Sequence, residues 1–263
     1  MYEKNRRPVR PAAAAPVEET EGQLEGRNAL QEALKSGRTV DKVFIAAGEV
    51  DRGLQRLAAE AKEAGAVVMP VDRRKLDTMS FTHAHQGVIA LAAAHVYYSI
   101  DDILEQAAAR GEAPLIVICD ELSDPHNLGA ILRSAECAGA HGVIIPKRRS
   151  VGLTATVAKA SAGAIEYMKV ARVTNISAAI AELKEKGVWI FGTAAEGSIP
   201  MYQADLSGPA AIVIGNEGGG MSQLVRKNCD VMVNIPMKGR ISSLNASAAA
   251  SILLYEALRQ RLG

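Results

Sequence analysis

Runs of consecutive apolar residues, separated by segments with helical spacing, dominate the second half of the chain. Five runs are nearly continuously apolar, at 115–119, 143–145, 188–191, 210–214 and 231–235. Helical periodicity appears between them at 127–139, 176–186 and 222–228, and again at 244–262. Strands buried on both faces and joined by helices are typical of a parallel sheet. The pattern therefore predicts an α/β domain over residues 114–263.

The preceding hundred residues contain a smaller unit of mixed elements. Helical patterns cover 27–35 and 54–64, and short strand patterns cover 43–46, 66–70 and 88–92. These elements predict a small α/β domain over residues 23–98. A helix over 100–110 and a Gly-Glu-Ala-Pro breaker at 111–114 predict a linker at 99–113.

Residues 1–22 show neither a strand nor a helix period, and they contain three prolines and an alanine run. We predict a disordered tail. Up to Pro16 it carries four basic residues against one acid, so it either stays solvated without a partner or contacts phosphates.

Composition narrows the classes of function. The chain has 263 residues, of which 48% are hydrophobic and 22% charged, as in ordinary globular proteins. Thirty basic residues against 29 acidic ones leave a formal charge of +1, so any nucleic-acid contact has to be local. Aromatic residues are 4% of the chain, which argues against a surface that binds single strands by stacking on their bases.

The three cysteines include no Cys-x-x-Cys pair, which argues against a disulfide framework and a cysteine-based zinc site. No apolar run approaches the roughly 20 residues that span a bilayer, and the N-terminus has no apolar signal-peptide core. We therefore expect a cytoplasmic protein without a membrane partner.

Three segments place polar side chains directly after a predicted strand, where open parallel sheets bind ligands. The first is 123–133, in which Asn127 is placed to start a helix and Arg133 follows within two turns. Asn127 and Arg133 are therefore candidates to contact a common ligand. As plain structure, the segment is a helix cap followed by a surface arginine.

The second segment, 215–222, has four glycines in six positions, which allows a ligand to approach the backbone closely. Its spacing imitates a phosphate-binding P-loop, but Met221 takes the place of the lysine, which disfavours triphosphate hydrolysis. The glycine order of dinucleotide-binding proteins is also absent. Glu217 would repel a phosphate and accept a cationic or hydrogen-donating group. The alternative is a flexible turn.

The third segment, 235–247, leads from the last strand into the C-terminal helix. Ser242 or Ser243 is placed to cap that helix, whose positive end attracts polar or anionic groups. Small residues at 246–251 leave space for a ligand or a closely packed partner. As plain structure, it is a well-capped core helix.

Other constellations are weaker. His83 and His85 have no further ligands near them in sequence, so no metal site is predicted. Asp120, Glu121 and Asp124 are oxygen ligands suited to magnesium, but we interpret them as a solvated edge between strand and loop. A Gly-x-Ser-x-Gly elbow, which hydrolase chemistry would need, is missing.

Across these three segments the chain resembles the SpoU (TrmH-type) RNA ribose 2′-O-methyltransferases of the SPOUT class. The first motif is matched by DPHNLGAILR (124–133), the second by IGNEG (214–218), and the third by IPM (235–237) with SLNAS (243–247). GRNAL (26–30) and HQGV (85–88) are similar to the start and end of the small domain in bacterial enzymes that methylate a guanosine of 23S rRNA. The resemblance covers about residue 24 to the C-terminus.

The resemblance implies a parallel-sheet domain whose C-terminal part is threaded into a trefoil knot, preceded by a small α/β RNA-binding domain. It implies RNA as partner rather than DNA, and a homodimer formed through the knotted domain, with each site borrowing from two subunits. It also implies S-adenosylmethionine as cofactor, in a pocket bounded by Thr193, Gly215, Ile235, Leu244 and Ala246.

The implied reaction methylates a ribose 2′-hydroxyl, and the implied catalytic residues are Asn127, Arg133, Glu217, Ser243 and Asn245. Family proposals make Arg133 the general base, but guanidinium groups stay protonated in proteins. Our hypothesis is that Arg133 holds a phosphate beside the ribose and stabilises the developing alkoxide. Asn127 would orient Arg133 or the ribose, Glu217 would fix the glycine loop, and Ser243 with Asn245 would hold the substrate or the cofactor edge.

For the small domain, the resemblance implies that Arg27 and Asn28 contact an RNA stem-loop. A stability or dimerisation module is the alternative. Three alternative functions stay open at this point: the same chemistry on tRNA, the same chemistry on an rRNA adenosine, as in resistance enzymes, and an RNA-binding homologue that transfers no methyl group.

Overall fold

The computed structural model describes residues 22–48, 51–93, 95–195, 197–216 and 218–263. Its first part is a four-stranded mixed sheet in the order β1-β4-β2-β3, in which only β2 and β3 pair in parallel. The strands are β1 (Gln23–Glu25), β2 (Val40–Ala46), β3 (Val67–Val71) and β4 (Val88–Ala92). The helices are α1 (Arg27–Lys35), α2 (Arg52–Glu63) and α3 (Arg73–Met79). Leu30, Val43, Leu54 and Val88 meet in its core.

The second part is a seven-stranded sheet in which every pairing is parallel. Its strands are β5 (Leu115–Cys119), β6 (Gly142–Pro146), β7 (Lys169–Val173), β8 (Trp189–Thr193), β9 (Ile199–Pro200), β10 (Ala210–Ile214) and β11 (Val231–Asn234). Its helices are α4 (Ile100–Arg110), α5 (Pro125–Cys137), α6 (Ala155–Ala160), α7 (Ile176–Glu185), α8 (Gln223–Asn228) and α9 (Ala246–Leu262).

Strand order in this sheet is β7-β6-β5-β10-β8-β11-β9, so β10 inserts between two strands that precede it in the chain. Ile212 of β10 pairs with Val117 of β5 on one side and with Phe191 of β8 on the other. All residues of β5 and β10 are buried, as their unbroken apolar runs predicted. The predicted α/β class is confirmed, and the knotted threading stays a prediction.

Several short elements are not predicted by the sequence pattern. β1 is three residues long and β9 two, which is too short for a periodic signal. β7 was missed because Lys169 and Arg172 interrupt its apolar residues. The helices α3 and α6, of seven and six residues, are also too short for a clear period.

One of those interrupting residues, Arg172, joins the two parts of the molecule. Its guanidinium forms a buried ion pair with the Asp41 carboxylate of β2 and also donates to the Asp41 carbonyl at 2.8 Å. Tyr97, whose pKa burial raises, donates its hydroxyl to Asp41 at 3.1 Å and accepts from the Leu153 amide at 2.8 Å. Removing one partner of such a buried pair costs about 3–5 kcal/mol. The smaller domain is therefore fastened to the edge of the larger sheet.

Among the residues that the structure describes, no helix has the length and apolar character needed to cross a bilayer. The predicted tail at 1–22 lies outside the described residues except for Gly22.

Candidate active site

A cavity of about 290 Å³ opens at the carboxyl ends of β8, β10 and β11 and against the start of α9. All five residues predicted to bound the cofactor line it: Thr193, Gly215, Ile235, Leu244 and Ala246. Ser243, predicted to be catalytic, lines it as well. The lining otherwise combines small and branched apolar side chains with a few polar groups, including Asn216, Asn234 and Ser242.

The glycine loop after β10 is closed on itself. The main chains of Asn216 and Gly220 exchange two hydrogen bonds, at 3.1 and 2.9 Å, and the Asn216 side chain accepts from the amide of Gly218 at 2.7 Å. A Cβ atom at Gly215 would lie 2.3 Å from the Gly220 carbonyl carbon, so only glycine fits there. The loop is thus a defined wall of the cavity rather than a flexible turn. Glu217 lies outside the described residues, and its role in this loop stays a prediction.

Asp120 fastens the loop to the neighbouring strand. The sequence predicts a solvated position for Asp120, but only 4% of the residue is exposed, so that prediction is wrong. Its carboxylate accepts a hydrogen bond from the Ser222 amide at 2.8 Å. Its position directly after a fully buried strand was the available signal, because an acid there has to find a partner.

The first and third motifs are joined by their asparagines. The Asn245 side-chain amide donates to the Asn127 side-chain oxygen at 2.8 Å, although 118 positions separate the two residues. The Asn245 oxygen also accepts from the amides of Ser247 and Ala248, and so caps α9. This corrects the expectation that Ser242 or Ser243 caps the helix. Similarly, Asp124 rather than Asn127 caps α5, and Asn127 lies buried in the first turn.

Arg133 is not brought into the cavity. It is exposed on α5 and does not appear among the lining residues. Asn127 and Ser134 mark the side of α5 that faces α9, since Ser134 shares a hydrogen bond with Ser251 at 2.7 Å. Arg133 precedes Ser134 by one position, so it lies about 100° around the helix from the side that faces α9.

The two residues predicted to bind RNA lie at the start of α1. Arg27 is tied within its own domain, because its guanidinium pairs with the Asp51 carboxylate at 2.6 Å and its Nε donates to the Gln86 carbonyl at 3.3 Å. Asn28 is exposed. Arg27 therefore holds the GRNAL segment against Gln86 of the HQGV segment, and its contact with RNA stays a prediction.

Two of the three thiols are unsuited to nucleophilic catalysis. Burial raises the pKa of Cys119 to about 12 and that of Cys229 to about 11. Both are therefore protonated at neutral pH. Among the described residues that line the cavity, the polar side chains are amides and hydroxyls, which position a ligand by hydrogen bonding.

The fold and the cavity define an α/β protein that binds a small molecule at the carboxyl edge of its parallel sheet. Two family models match the chain: the SpoU rRNA Methylase family over residues 114–255, and the RNA 2′-O ribose methyltransferase substrate-binding family over residues 23–98. The chain belongs to the SpoU/TrmH family of S-adenosylmethionine-dependent RNA 2′-O-ribose methyltransferases.

Individual relatives agree with this assignment. The chain is 48% identical over 236 residues to YacO of Bacillus subtilis (strain 168), which is assigned to the TrmH family of tRNA/rRNA methyltransferases. The aligned residues cover 90% of this chain and 94% of YacO. It is 27% identical to the AdoMet-bound rRNA methyltransferase from Sinorhizobium meliloti, with a TM-score of 0.59 over 92% and 88% of the two chains. A tRNA-modifying TrmH/SpoU enzyme of A. aeolicus, 29% identical, matches 57% of this chain and 77% of its own, with a TM-score of 0.53.

The cavity fits the cofactor of the family. Apolar side chains such as Ile214, Val233 and Leu244 suit a flat purine, and the main chain at the strand ends offers donors and acceptors for polar groups. The Thr193 hydroxyl donates to the Val213 carbonyl at 2.9 Å, which leaves its oxygen as an acceptor. When bound, S-adenosylmethionine supplies an electrophilic methyl group on a sulfonium.

Replacement of Asn245 should separate its cap from its link to Asn127. Asn175 caps α7 with the same two-amide geometry, far from the cavity in sequence, and provides a matched control. We expect Asn175→Ala to lower the free energy of unfolding by about 1 kcal/mol in urea titrations. Asn245→Ala should lower it by more, because it also removes the hydrogen bond to the buried Asn127. Only Asn245→Ala should also lower methyl transfer to RNA. Equal activities of the two variants would contradict a role for the link.

Replacement of Gly215 should damage the cofactor pocket. Gly215→Ala forces the loop apart, because the added methyl group meets main-chain atoms of Gly220 and Met221. We expect the affinity for S-adenosylmethionine to fall at least tenfold, measured by titration calorimetry. Gly219→Ala is the control in the same loop, since nothing lies within 4 Å of its added methyl group. Wild-type affinity in Gly215→Ala would show that the loop does not hold the cofactor.

Proposed function

We propose that this enzyme methylates the ribose of a guanosine in 23S rRNA. The main support is that the chain matches an rRNA methyltransferase along 92% of its length, whereas the tRNA-modifying enzyme matches 57%. The family match at 23–98 supports a dedicated domain that binds the RNA substrate. The GRNAL and HQGV segments, which resemble those of guanosine-specific enzymes, lie near the two ends of that match.

We further propose that two copies of the chain complete each active site. The segment between β11 and α9 carries exposed apolar side chains, with Met237 40%, Ile241 77% and Leu244 39% exposed, as does Tyr255 of α9 with 51%. Apolar patches of this kind mark association surfaces. Arg133, exposed on the neighbouring α5, would then reach a ribose bound across the dimer.

In this proposal the chain acts by positioning groups and neutralising charge. The linked amides of Asn127 and Asn245 hold α5 and α9 in a fixed relation, and Ser243 at the cavity mouth is placed to hold the ribose. Alignment of two reactants contributes roughly 7–11 kcal/mol in well-oriented cases. The Arg133 guanidinium holds the adjacent phosphate and stabilises the alkoxide, so that the hydroxyl proton leaves to phosphate or water.

The substrate can be identified with unmodified transcripts. We expect the purified chain with tritiated S-adenosylmethionine to label 23S rRNA, and alkaline hydrolysis to show one protected linkage, 3′ to a guanosine. Gly215→Ala is the control with a damaged cofactor pocket. Label confined to tRNA, or protection at an adenosine, would contradict the proposed substrate.

Arg133 variants distinguish charge from proton abstraction. Arg133→Lys keeps the positive charge, so we expect it to retain turnover within about tenfold of wild type. Arg133→Ala should lose about 10²–10³-fold, as when one stabilising donor is removed from a transition state. Turnover is measured with saturating cofactor and RNA. If Arg133→Lys is as inactive as Arg133→Ala, the forked guanidinium is itself indispensable and our assignment is wrong.

A further inference from the structure

A second cavity, of about 460 Å³, lies between the two domains. One wall consists of small residues at the end of α2 and along β3, among them Ala58, Ala59 and Gly65. The other wall is formed by the residues that directly follow β6 and β7, namely Lys147, Arg148 and Thr174. Lys62 of α2 completes the lining. We call this cavity the interdomain groove.

The groove is basic and its charges are uncompensated within the described part of the chain. Lys62, Lys147 and Arg148 form no ion pair or side-chain hydrogen bond there, and no acidic residue lines the groove. The next residue, Arg149, contrasts with them because it pairs with the Glu121 carboxylate at 2.9 Å. Three free cations facing a space without an anion are typical of a site for phosphate groups.

The groove opens at the same sheet edge as the cofactor cavity. Every strand of the large sheet is parallel, so the carboxyl ends of β6, β7, β8 and β10 lie along one edge. β6 is two strands from β10, a separation of about 10 Å at the usual strand spacing. A polynucleotide strand that crosses this edge can therefore contact both places.

The relative position of the two walls is fixed. The buried Asp41–Arg172 pair joins β2 to β7, and Lys42 donates to the Ser150 carbonyl at 3.3 Å in the loop that carries Lys147 and Arg148. The groove thus has a defined width before any ligand binds, which spares the cost of ordering two mobile domains.

We propose that the interdomain groove binds the phosphate backbone of the RNA substrate and that Lys62, Lys147 and Arg148 make its phosphate contacts. This inference rests on the proposed function, because it takes the bound strand to be part of the substrate RNA. The contacts are sequence-independent and set the position of the strand across the two domains. Phosphate contacts of this kind do not select the target nucleotide.

The test compares two triple variants with equal loss of charge. Lys62→Gln/Lys147→Gln/Arg148→Gln removes the groove cations. Lys35→Gln/Arg56→Gln/Lys186→Gln removes three cations that already pair with Glu32, Glu60 and Glu182. Affinity for a 23S rRNA transcript is measured by filter binding from 0.05 to 0.3 M KCl. The logarithm of the affinity falls linearly with the logarithm of the salt concentration, and each phosphate contact to single-stranded RNA adds about 0.7 to the slope.

We expect the groove variant to show a slope shallower by about 2 and roughly hundred-fold weaker binding at 0.1 M salt, with the control triple unchanged. Lys62→Arg/Lys147→Arg should retain the wild-type slope. A groove variant with the wild-type slope, or an equal fall in the control, would overturn the proposal.

Two further measurements keep the result interpretable. Calorimetry should give the groove variant wild-type affinity for S-adenosylmethionine, since the groove shares no residue with that cavity. Ultraviolet crosslinking of the wild-type complex should attach nucleotides to peptides containing Lys62, Lys147 or Arg148, and their absence from these peptides would also overturn the proposal. If the wild-type chain binds RNA through the groove but labels no 23S rRNA, the proposed substrate fails while the groove stands.

Discussion

The parallel insertion of β10 between β5 and β8 is the constraint on which the site depends. It sends the glycine loop out at the same edge as Asp120, which follows β5, and Thr193, which ends β8. Asp120 then accepts from the Ser222 amide and fixes the loop, and the closed turn at 216–220 forms one wall of the cavity. Without the shared strand direction, these segments would end at opposite edges of the sheet and enclose nothing.

Two polar connections carry this arrangement outward from the sheet. The amide link between Asn127 and Asn245 fixes α9 against α5, next to the lining residues Leu244 and Ala246, so that the helix cap and the contact between motifs use one side chain. The Asp41–Arg172 pair fixes the small domain against β7, the outermost strand on the other side of the sheet. The first connection satisfies the buried side chain of Asn127, and the second pairs two buried charges. Such buried polar contacts favour one geometry over near alternatives.

The sequence predicts a strand well where all of its residues are buried and apolar. It predicts a strand poorly where a polar residue of that strand forms a buried contact. The runs at 115–119 and 210–214 coincide with β5 and β10, because short unbroken apolar stretches are typical of strands buried on both faces. β7 was missed because Arg172 interrupts its pattern, and its buried partner Asp41 is 131 positions away. Likewise, the cavity-lining residues Thr193 and Leu244 were predicted through the family resemblance, but the position of Arg133 outside the cavity depends on the rotation of α5, which no motif encodes.

The place of β10 in the sheet also affects how the molecule is made. Ile212 pairs with Val117, 95 positions earlier, so the chain has to close a long loop before this central pairing is rewarded. Contacts of such separation slow folding, and a nascent chain exposes the unpaired edges of β5 and β8 until β10 leaves the ribosome. The apolar edge of β5 is meanwhile a surface for mispairing. The topology that brings the three motifs together therefore also delays the central strand pairing until most of the chain has been synthesised.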